Sequence, residues 1–329
     1  MMSSDDCPKV SIIMAAYNEE NTIVDSIESI IKQTYKNFEL IVVDDGSMDS
    51  TPEIVRDIQN EKIKLLQNSE NESLPYSLNR GIRESDGQYI ARHDADEISK
   101  PTRLERQVEY LDNNPDVQVV GCWCEIVGQN GEHIINEQIS ADRDFGVDDL
   151  VRNGPGLTHG SVMMRREALE TLDGYREEFK YAQDYDLWLR VADEFGKGAI
   201  DYIPEVLYER RIEAGQIANR KPTLICAEYA RKSANSNNDN GLLDEMCEKI
   251  DQTPARSLSE ATEHAMYYYL IGMRYFRQGK RAEFYKNMFR SIATQPFLIR
   301  PWYQIGLSFL PENTRNKLRQ YIRGSLYGS

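Results

Sequence analysis

Four short apolar runs open the chain, and most of them break off into a cluster of polar residues. Lys9 to Ala16 (KVSIIMAA) stops at Tyr17-Asn18-Glu19-Glu20, and Phe38 to Val43 (FELIVV) stops at Asp44-Asp45-Gly46-Ser47. Ile63 to Leu66 is a third run, and Gly87 to Ala91 feeds directly into Arg92-His93-Asp94-Ala95-Asp96-Glu97. Nearly continuous, β-branched runs of this length predict strands buried on both faces of a parallel sheet. Between them the spacing turns helical: Ile23, Ile27, Ile30 and Ile31 within Thr22 to Thr34, with Asn21 as N-cap. Helices are also predicted over Thr51 to Ile58, where Pro52 loses no needed hydrogen bond, and over Pro75 to Arg83. This alternation predicts a doubly wound, mostly parallel α/β sheet whose ligands bind at the carboxyl ends of the strands. The three polar clusters all fall on those ends and converge on one site.

Further on, Pro101 to Asn113 is amphipathic through Leu104, Val108 and Leu111, and Val117 to Val127 reads as a strand with Cys122 and Trp123 in the core. Asn130-Gly131 marks a turn between two strand-like runs. Gly154 to Gly160 (GPGLTHG) reads as a loop, Ser161 to Met164 as a strand, Arg166 to Leu172 as a helix and Asp173-Gly174-Tyr175 as a turn. A helix starts near Gln183, with Asp184 favoured by its macrodipole. From 219 to 329 the pattern is helical, with breaks at Asn235 to Gly241, Thr253-Pro254, Gln295-Pro296 and Pro311, and with a hairpin over Tyr267 to Phe276 and Phe284 to Ile292.

Charge sharpens the picture. The 329 residues carry a net charge of −15, which argues against a nucleic-acid partner, since phosphate binding needs clustered Lys and Arg. The distribution is uneven: residues 280–329 hold nine Lys and Arg against two acids, a net +7, and the preceding 279 residues carry −22. Pro296 to Leu310 (PFLIRPWYQIGLSFL) is apolar and aromatic, and Arg315, Lys317, Arg319 and Arg323 follow it. Two readings stand for this end: a helix pair packed on the domain, or an amphipathic segment on the anionic inner membrane leaflet. The five cysteines are scattered without CxxC spacing, which supports neither a disulfide framework nor a zinc site. With an acidic N-terminus unlike a signal peptide and no run of roughly 18 apolar residues, the expectation is a cytoplasmic protein, soluble or peripheral on the cytosolic membrane face.

The chemistry follows from the residue types. An Asp-x-Asp at a strand end offers hard oxygen ligands to Mg²⁺ or Mn²⁺, ions usually held by one or two carboxylates plus substrate phosphates. A solvated acidic turn has the same composition. Asp45 is placed to read a nucleobase or ribose, and Asp44-Asp45-Gly46-Ser47 reads equally as a turn with a helix cap. Asp184 and Asp186 are candidates for a general base, or for helix-cap and surface acids. No GxGxxG or GxxxxGK[ST] is present, so no dinucleotide fingerprint or P-loop is in use.

The series VSIIMAAYNEE, SIIKQTYKNFELIVVDDGSMDST, LNRGIRESDGQYIARHDADEISKPTRLERQ, THGSVMMRREAL and YAQDYDLWLRVA resembles the family 2 glycosyltransferases over residues 8 to 215. The resemblance implies a GT-A fold, a Rossmann-like mostly parallel sheet, and an inverting, hexosyltransferase-type transfer in glycan biosynthesis. It implies a domain over 1–218, with a nucleotide-binding half (8–100) and an acceptor half (101–218), followed by a helical extension over 219–329. Ala15, Tyr17, Glu19, Asp44, Asp45, Arg92, Asp94 and Asp96 would line the nucleotide-sugar site, with Asp96 and Asp94 toward the metal. Asp184 would be the catalytic base, and Thr158, His159 and Asp186 would lie on the acceptor side. The donor would be a UDP- or GDP-sugar, the cofactor Mn²⁺ or Mg²⁺, and the acceptor a glycan or lipid-linked hydroxyl. Three positions depart from the family pattern: Gln183 stands where Glu is usual, Glu97 replaces a common Asp, and Leu78 replaces an Arg, a charge that Arg92 or Arg80 would supply. A nucleotidyltransferase is the second enzymatic reading, disfavoured by the acidic loop after the first strand. A non-catalytic sugar-nucleotide-binding scaffold is the reading of a different class.

Overall fold

The computed structural model describes residues 9–128, 131–212, 220–234, 240–253, 259–277 and 279–310, and Thr314. Asn130 of the expected turn, most of the break at 235–241, Pro254, Pro311 and the basic residues from Arg315 to Arg323 lie outside the described residues. The described chain falls into two compact units, one holding the residues up to 211 together with 220–253, the other those from 259 onward.

The first unit opens as the apolar runs predict. Strands β1 (Val10–Ala16), β2 (Phe38–Asp44), β3 (Ile63–Gln67) and β4 (Tyr89–Asp94) alternate with helices α1 (Ile23–Ile31), α2 (Thr51–Asp57) and α3 (Leu74–Arg83). All four strands are parallel, with β1 between β2 and β4 and β3 beyond β2. Ile12, Met14, Leu40, Ile41 and Val42 are wholly buried, which is why these strands show no polar alternation. Helix α1 begins after Thr22 rather than Asn21, and no side chain caps it.

The second half of this unit is mixed. It comprises β5 (Ile98–Ser99), α4 (Arg103–Asn113), β6 (Val119–Val127), β7 (His133–Glu137), α5 (Val147–Asn153), a 3₁₀ turn at His159–Ser161, β8 (Met163–Arg165), α6 (Arg166–Thr171), α7 (Gln183–Phe195) and β9 (Ile200–Arg211). The nine-stranded sheet runs β3-β2-β1-β4-β8-β6-β9-β5, with β7 beside β6. Only the short β8 and the outer β5 and β7 pair antiparallel with their neighbours. Because β8 reverses against both β4 and β6, the long β6–β9 pair runs in the same sense as β1 to β4 and ends at the same edge. The 200–211 strand is absent from the hydrophobic pattern because Pro204 interrupts it. A proline has no N–H for the ladder, and the register slips there, from Cys122 opposite Ile203 to Trp123 opposite Val206.

Two buried polar side chains tie the sheet to its helices. Arg103 of α4 is fully buried and donates to Gln107 Oε1 (3.0 Å), Ser99 Oγ (2.8 Å), and the carbonyls of Arg92 (2.7 Å) and Val162 (3.2 Å). Gln107 in turn donates to the carbonyls of Val120 and Ser161. On α1, Ser26 Oγ holds the Glu97 carbonyl, Ser29 Oγ accepts from Ser99 N, and Gln33 bridges to Lys100 and Leu104. The segment after β4 is therefore clamped from two helices.

The sequence suggested a boundary at 218. In the structure α8 (Arg220–Ser233) and α9 (Asn240–Asp251) belong to the first unit, where Cys226, Tyr229, Ala230 and Met246 join its core. The second unit is α10 (Glu260–Arg277), α11 (Arg281–Thr294) and α12 (Ile299–Ser308). Its predicted hairpin forms, with Ser291 Oγ donating to Ala265 O at 2.5 Å and Phe276 against Phe284 at 4.8 Å. Gly272 permits the close approach, since a Cβ there would lie 2.5 Å from Met288 Cε. Among the described residues no helix is long and apolar enough to cross a membrane.

Replacing Arg103 by Met keeps its volume but leaves the Arg92 and Val162 carbonyls without that donor. The expected loss is about 3 kcal/mol of unfolding free energy, read by urea denaturation. A loss under about 1 kcal/mol would show that the clamp is dispensable.

Candidate active site

The loops after β1 and β2 are laced to one another. Asn18 N donates to Ser47 Oγ (2.9 Å), Met48 N to Asn18 Oδ1 (2.9 Å), Glu19 N to Thr51 Oγ1 (2.8 Å) and Ser50 N to Glu20 Oε2 (3.1 Å). Tyr17, 40% exposed, begins the first of these loops. Ala15, half-buried near the end of β1, pairs with Val43 on one side and Asp94 on the other, so it sits between the second and third polar clusters. Glu19 accepts from Thr22 Oγ1 at 2.7 Å.

Asp44 and Asp45 are both buried. Asp44 accepts from Ser47 N and Gln67 Nε2. Asp45 meets four donors: Asn68 Nδ2 (2.6 Å), Ser77 Oγ (2.9 Å), Glu72 N (3.0 Å) and Ser73 N (3.1 Å). A carboxylate has about four acceptor sites, so this one is spent on anchoring the loop into α3. The base-reading task assigned to Asp45 from sequence would require one of these donors to yield. Arg80, a candidate for a missing positive charge, braces the same loop through Gln67 O and Asn68 Oδ1.

At the end of β4, Arg92 is buried and pairs with Asp94 Oδ1 at 2.5 Å, and its other amino group reaches the His93 carbonyl. Burial works against charge on Asp94, but Arg92, with smaller help from His159 and His93, holds its carboxyl below the ordinary value. Asp96 is half-buried in the turn to β5. Glu97 is buried, and burial, reinforced by Asp94 and Asp96, raises its carboxyl well above the ordinary value. These groups converge on Gly160 of the 3₁₀ turn. A Cβ there would lie 2.3 Å from Tyr208 Oη, 2.6 Å from Asp94 Oδ2 and 2.8 Å from Glu97 Oε2, so only glycine lets the turn close over the strand end. Tyr208 Oη also accepts from Asp94 N at 3.1 Å.

The start of α7 completes the site. Ala182 takes a left-handed conformation, φ 54°, which turns the chain into the helix. Asp184 lies in the first turn, and Asp94 adds a small push to its carboxyl. Burial raises its carboxyl above the ordinary value, against the opposing pull of the backbone N–H groups of Tyr185 and Asp184 and of Arg210. Asp186 faces elsewhere. Residues two apart on a helix point about 200° from each other, and Asp186 is buried in ion pairs with Arg190 (2.9 Å) and Arg176 (3.4 Å). These pairs tie the start of α7 to Arg176 before the helix and to Arg190 one turn on. His159, half-buried, hydrogen-bonds Tyr175 Oη through Nε2 at 2.8 Å and packs edge-on against Trp188. Arg103, Gln107, Gly160, Tyr175, Tyr208 and Arg210 were not found from sequence. The one available signal was Arg103 and Gln107, four apart on a stripe of α4 otherwise filled by Leu104, Val108 and Leu111.

The arrangement sets a pair of carboxylates at the end of β4 against a raised-pKa carboxyl on α7, with neutral imidazoles around them. Burial, aided by Arg103 for His93 and by Arg92 for His159, lowers both imidazoles to about 3. An unfolded histidine takes its proton near pH 6.5. Between these values the unfolded chain binds more protons than the folded one, so stability should fall as pH drops from about 6.5 toward 3. Urea midpoints measured across that range should show the decline, with a shallower slope in His93→Gln. A His93→Gln profile identical to wild type would mean that the His93 imidazole protonates in place.

Comparison with known proteins places this geometry. The family model described as "Glycosyl transferase family 2" matches residues 11–173. A Bacillus subtilis protein that carries the name glycosyltransferase EpsE is 38% identical over 221 residues, covering 66% of this chain and 77% of the relative. Among solved structures, Staphylococcus aureus TarS in complex with UDP aligns at TM-score 0.55 and 16% identity, over 88% of this chain and 92% of that one. The mannosyltransferase PcManGT of Pyrobaculum calidifontis, solved with GDP-Man and Mn²⁺, aligns at 0.55 and 18% identity, over 91% and 79%. Both carry the GT-A fold that the sheet order describes. The chain belongs to glycosyl transferase family 2.

Proposed function

We propose that this glycosyltransferase is inverting, and that it moves a sugar from a UDP- or GDP-activated donor to a hydroxyl of a glycan or lipid-linked acceptor in one displacement. The observation that supports the reading is a raised Asp184 carboxyl in the first turn of α7, near enough to Asp94 to feel its charge. A donor diphosphate at the strand end leaves its anomeric carbon facing α7. Asp184 takes the proton of the acceptor hydroxyl as the oxygen attacks that carbon. The bond from carbon to the diphosphate oxygen breaks, and the nucleoside diphosphate departs with the electron pair. The raised Asp184 pKa suits this task, because a stronger base gains more from the proton it accepts.

The donor set at β4 fits a divalent ion. Asp94 and Asp96 supply two carboxylates, and among the described residues no group of three His, Cys, Asp or Glu could hold an ion unaided. A small hard cation commonly relies on one or two carboxylates and on substrate phosphates for the rest. Asp96 with Asp94 would hold Mn²⁺ or Mg²⁺, which when bound neutralises charge on the departing diphosphate. Arg92 keeps Asp94 ionised, and Tyr17 offers a ring for a base to stack on. The nucleotides bound by the TarS and PcManGT structures support a uracil or guanine donor.

Asp184→Asn should lower transfer about 10²–10⁴-fold while leaving nucleotide affinity unchanged. The acid limb of the pH–rate profile should lie above the ordinary Asp value near 3.9 and vanish in this variant. Initial rates with labelled donor across pH measure both. Turnover within about tenfold of wild type would remove Asp184 from the base role.

A further inference from the structure

Helix α12 has a buried side and an exposed apolar stripe. Pro301, Leu307 and Ser308 are buried, and Ser308 Oγ shares a 2.9 Å hydrogen bond with Tyr285 Oη of α11. Turned away from Pro301 and Ser308, Ile299, Trp302 and Tyr303 recur at helical spacing, 78%, 52% and 37% exposed. Phe297 precedes the stripe at 91% exposed, and Phe309 follows it at 73%. The Trp302 indole N–H is already spent, donating to Pro296 O at 3.0 Å. Its ring can therefore enter an apolar medium without stranding a polar group.

Charge says what covers this face. Residues 1–279 carry −22 and would be repelled by an anionic surface, yet residues 280–329 carry +7. All five cations among the described residues of 280–310, with Arg300 in α12 itself, are exposed. A strongly positive stretch of an acidic chain thus bears the open aromatic stripe. Two copies meeting through this face would bring like charges together, whereas anionic lipid complements both features. We propose that the open face of α12 docks on an anionic bilayer, with Trp302 and its apolar neighbours at headgroup depth and the exposed Lys and Arg of the same segment drawing it to the lipid charge.

The test is flotation of the full-length protein with vesicles of phosphatidylcholine alone or mixed with phosphatidylglycerol. The expected result is binding to the mixed vesicles only, reduced at least about tenfold by high salt. The same loss is expected in Phe297→Ser/Ile299→Ser/Trp302→Ser and in the exposed-charge variant Lys286→Glu/Arg290→Glu, both with unchanged circular dichroism. Trp302 emission should shift to shorter wavelength on binding. Failure to bind anionic vesicles would overturn the proposal, as would binding that both variants retain. A dimer in size-exclusion light scattering that the triple variant dissolves would assign the face to a second copy instead.

Discussion

The ion pair between Arg92 and Asp94 is the interaction on which the working edge depends. Asp94, Asp96, Glu97 and Asp184 gather at one end of the sheet, where burial and mutual repulsion both favour protonation. Arg92 is the buried counter-charge that keeps Asp94 ionised. A charge buried this deeply is tolerable only when its surroundings are fixed. Arg103 and Gln107 supply that rigidity by holding backbone carbonyls of β4, β6 and the segment entering β8. Ser26 and Ser29 of α1, with Gln33 just past its end, fasten the segment after β4 at Glu97, Ser99 and Lys100.

Balance between the carboxylates then separates their roles. Asp94 is held low beside Arg92, while Glu97 and Asp184 are raised by burial. Each of the three meets a different environment, and the proposed chemistry, which needs both an ionised ligand and a proton acceptor, draws on that difference. Asp45 and Asp186 show the opposite case. Each is saturated by partners of its own, and each stabilises a loop or helix that frames the site.

The parallel core was legible because β1, β2 and β4 are buried on both faces, and such strands announce themselves as unbroken apolar runs. Convergence of the polar clusters followed from the rule that parallel strands end together. β9 was invisible because Pro204 breaks its pattern and three consecutive charged residues, Glu209, Arg210 and Arg211, end it. The separation of Asp184 from Asp186 is a matter of helical phase that only the exact start of α7 settles. The four donors on Asp45 come from residues 68 to 77, distant in sequence, and no local signal reports them. α8 and α9 looked like the helices beyond them, and their membership of the first unit rests on core contacts of Cys226, Tyr229 and Met246 that periodicity alone does not assign.

The most direct measurement is calorimetric titration of UDP and GDP into the protein, with and without Mn²⁺, for wild type and Asp96→Asn. A donor site built on the β4 carboxylates predicts binding of one nucleotide that Mn²⁺ tightens at least about tenfold, about 1.4 kcal/mol, and a variant that loses this metal dependence while staying folded. Binding that is indifferent to Mn²⁺, or that Asp96→Asn leaves unchanged, would contradict the account.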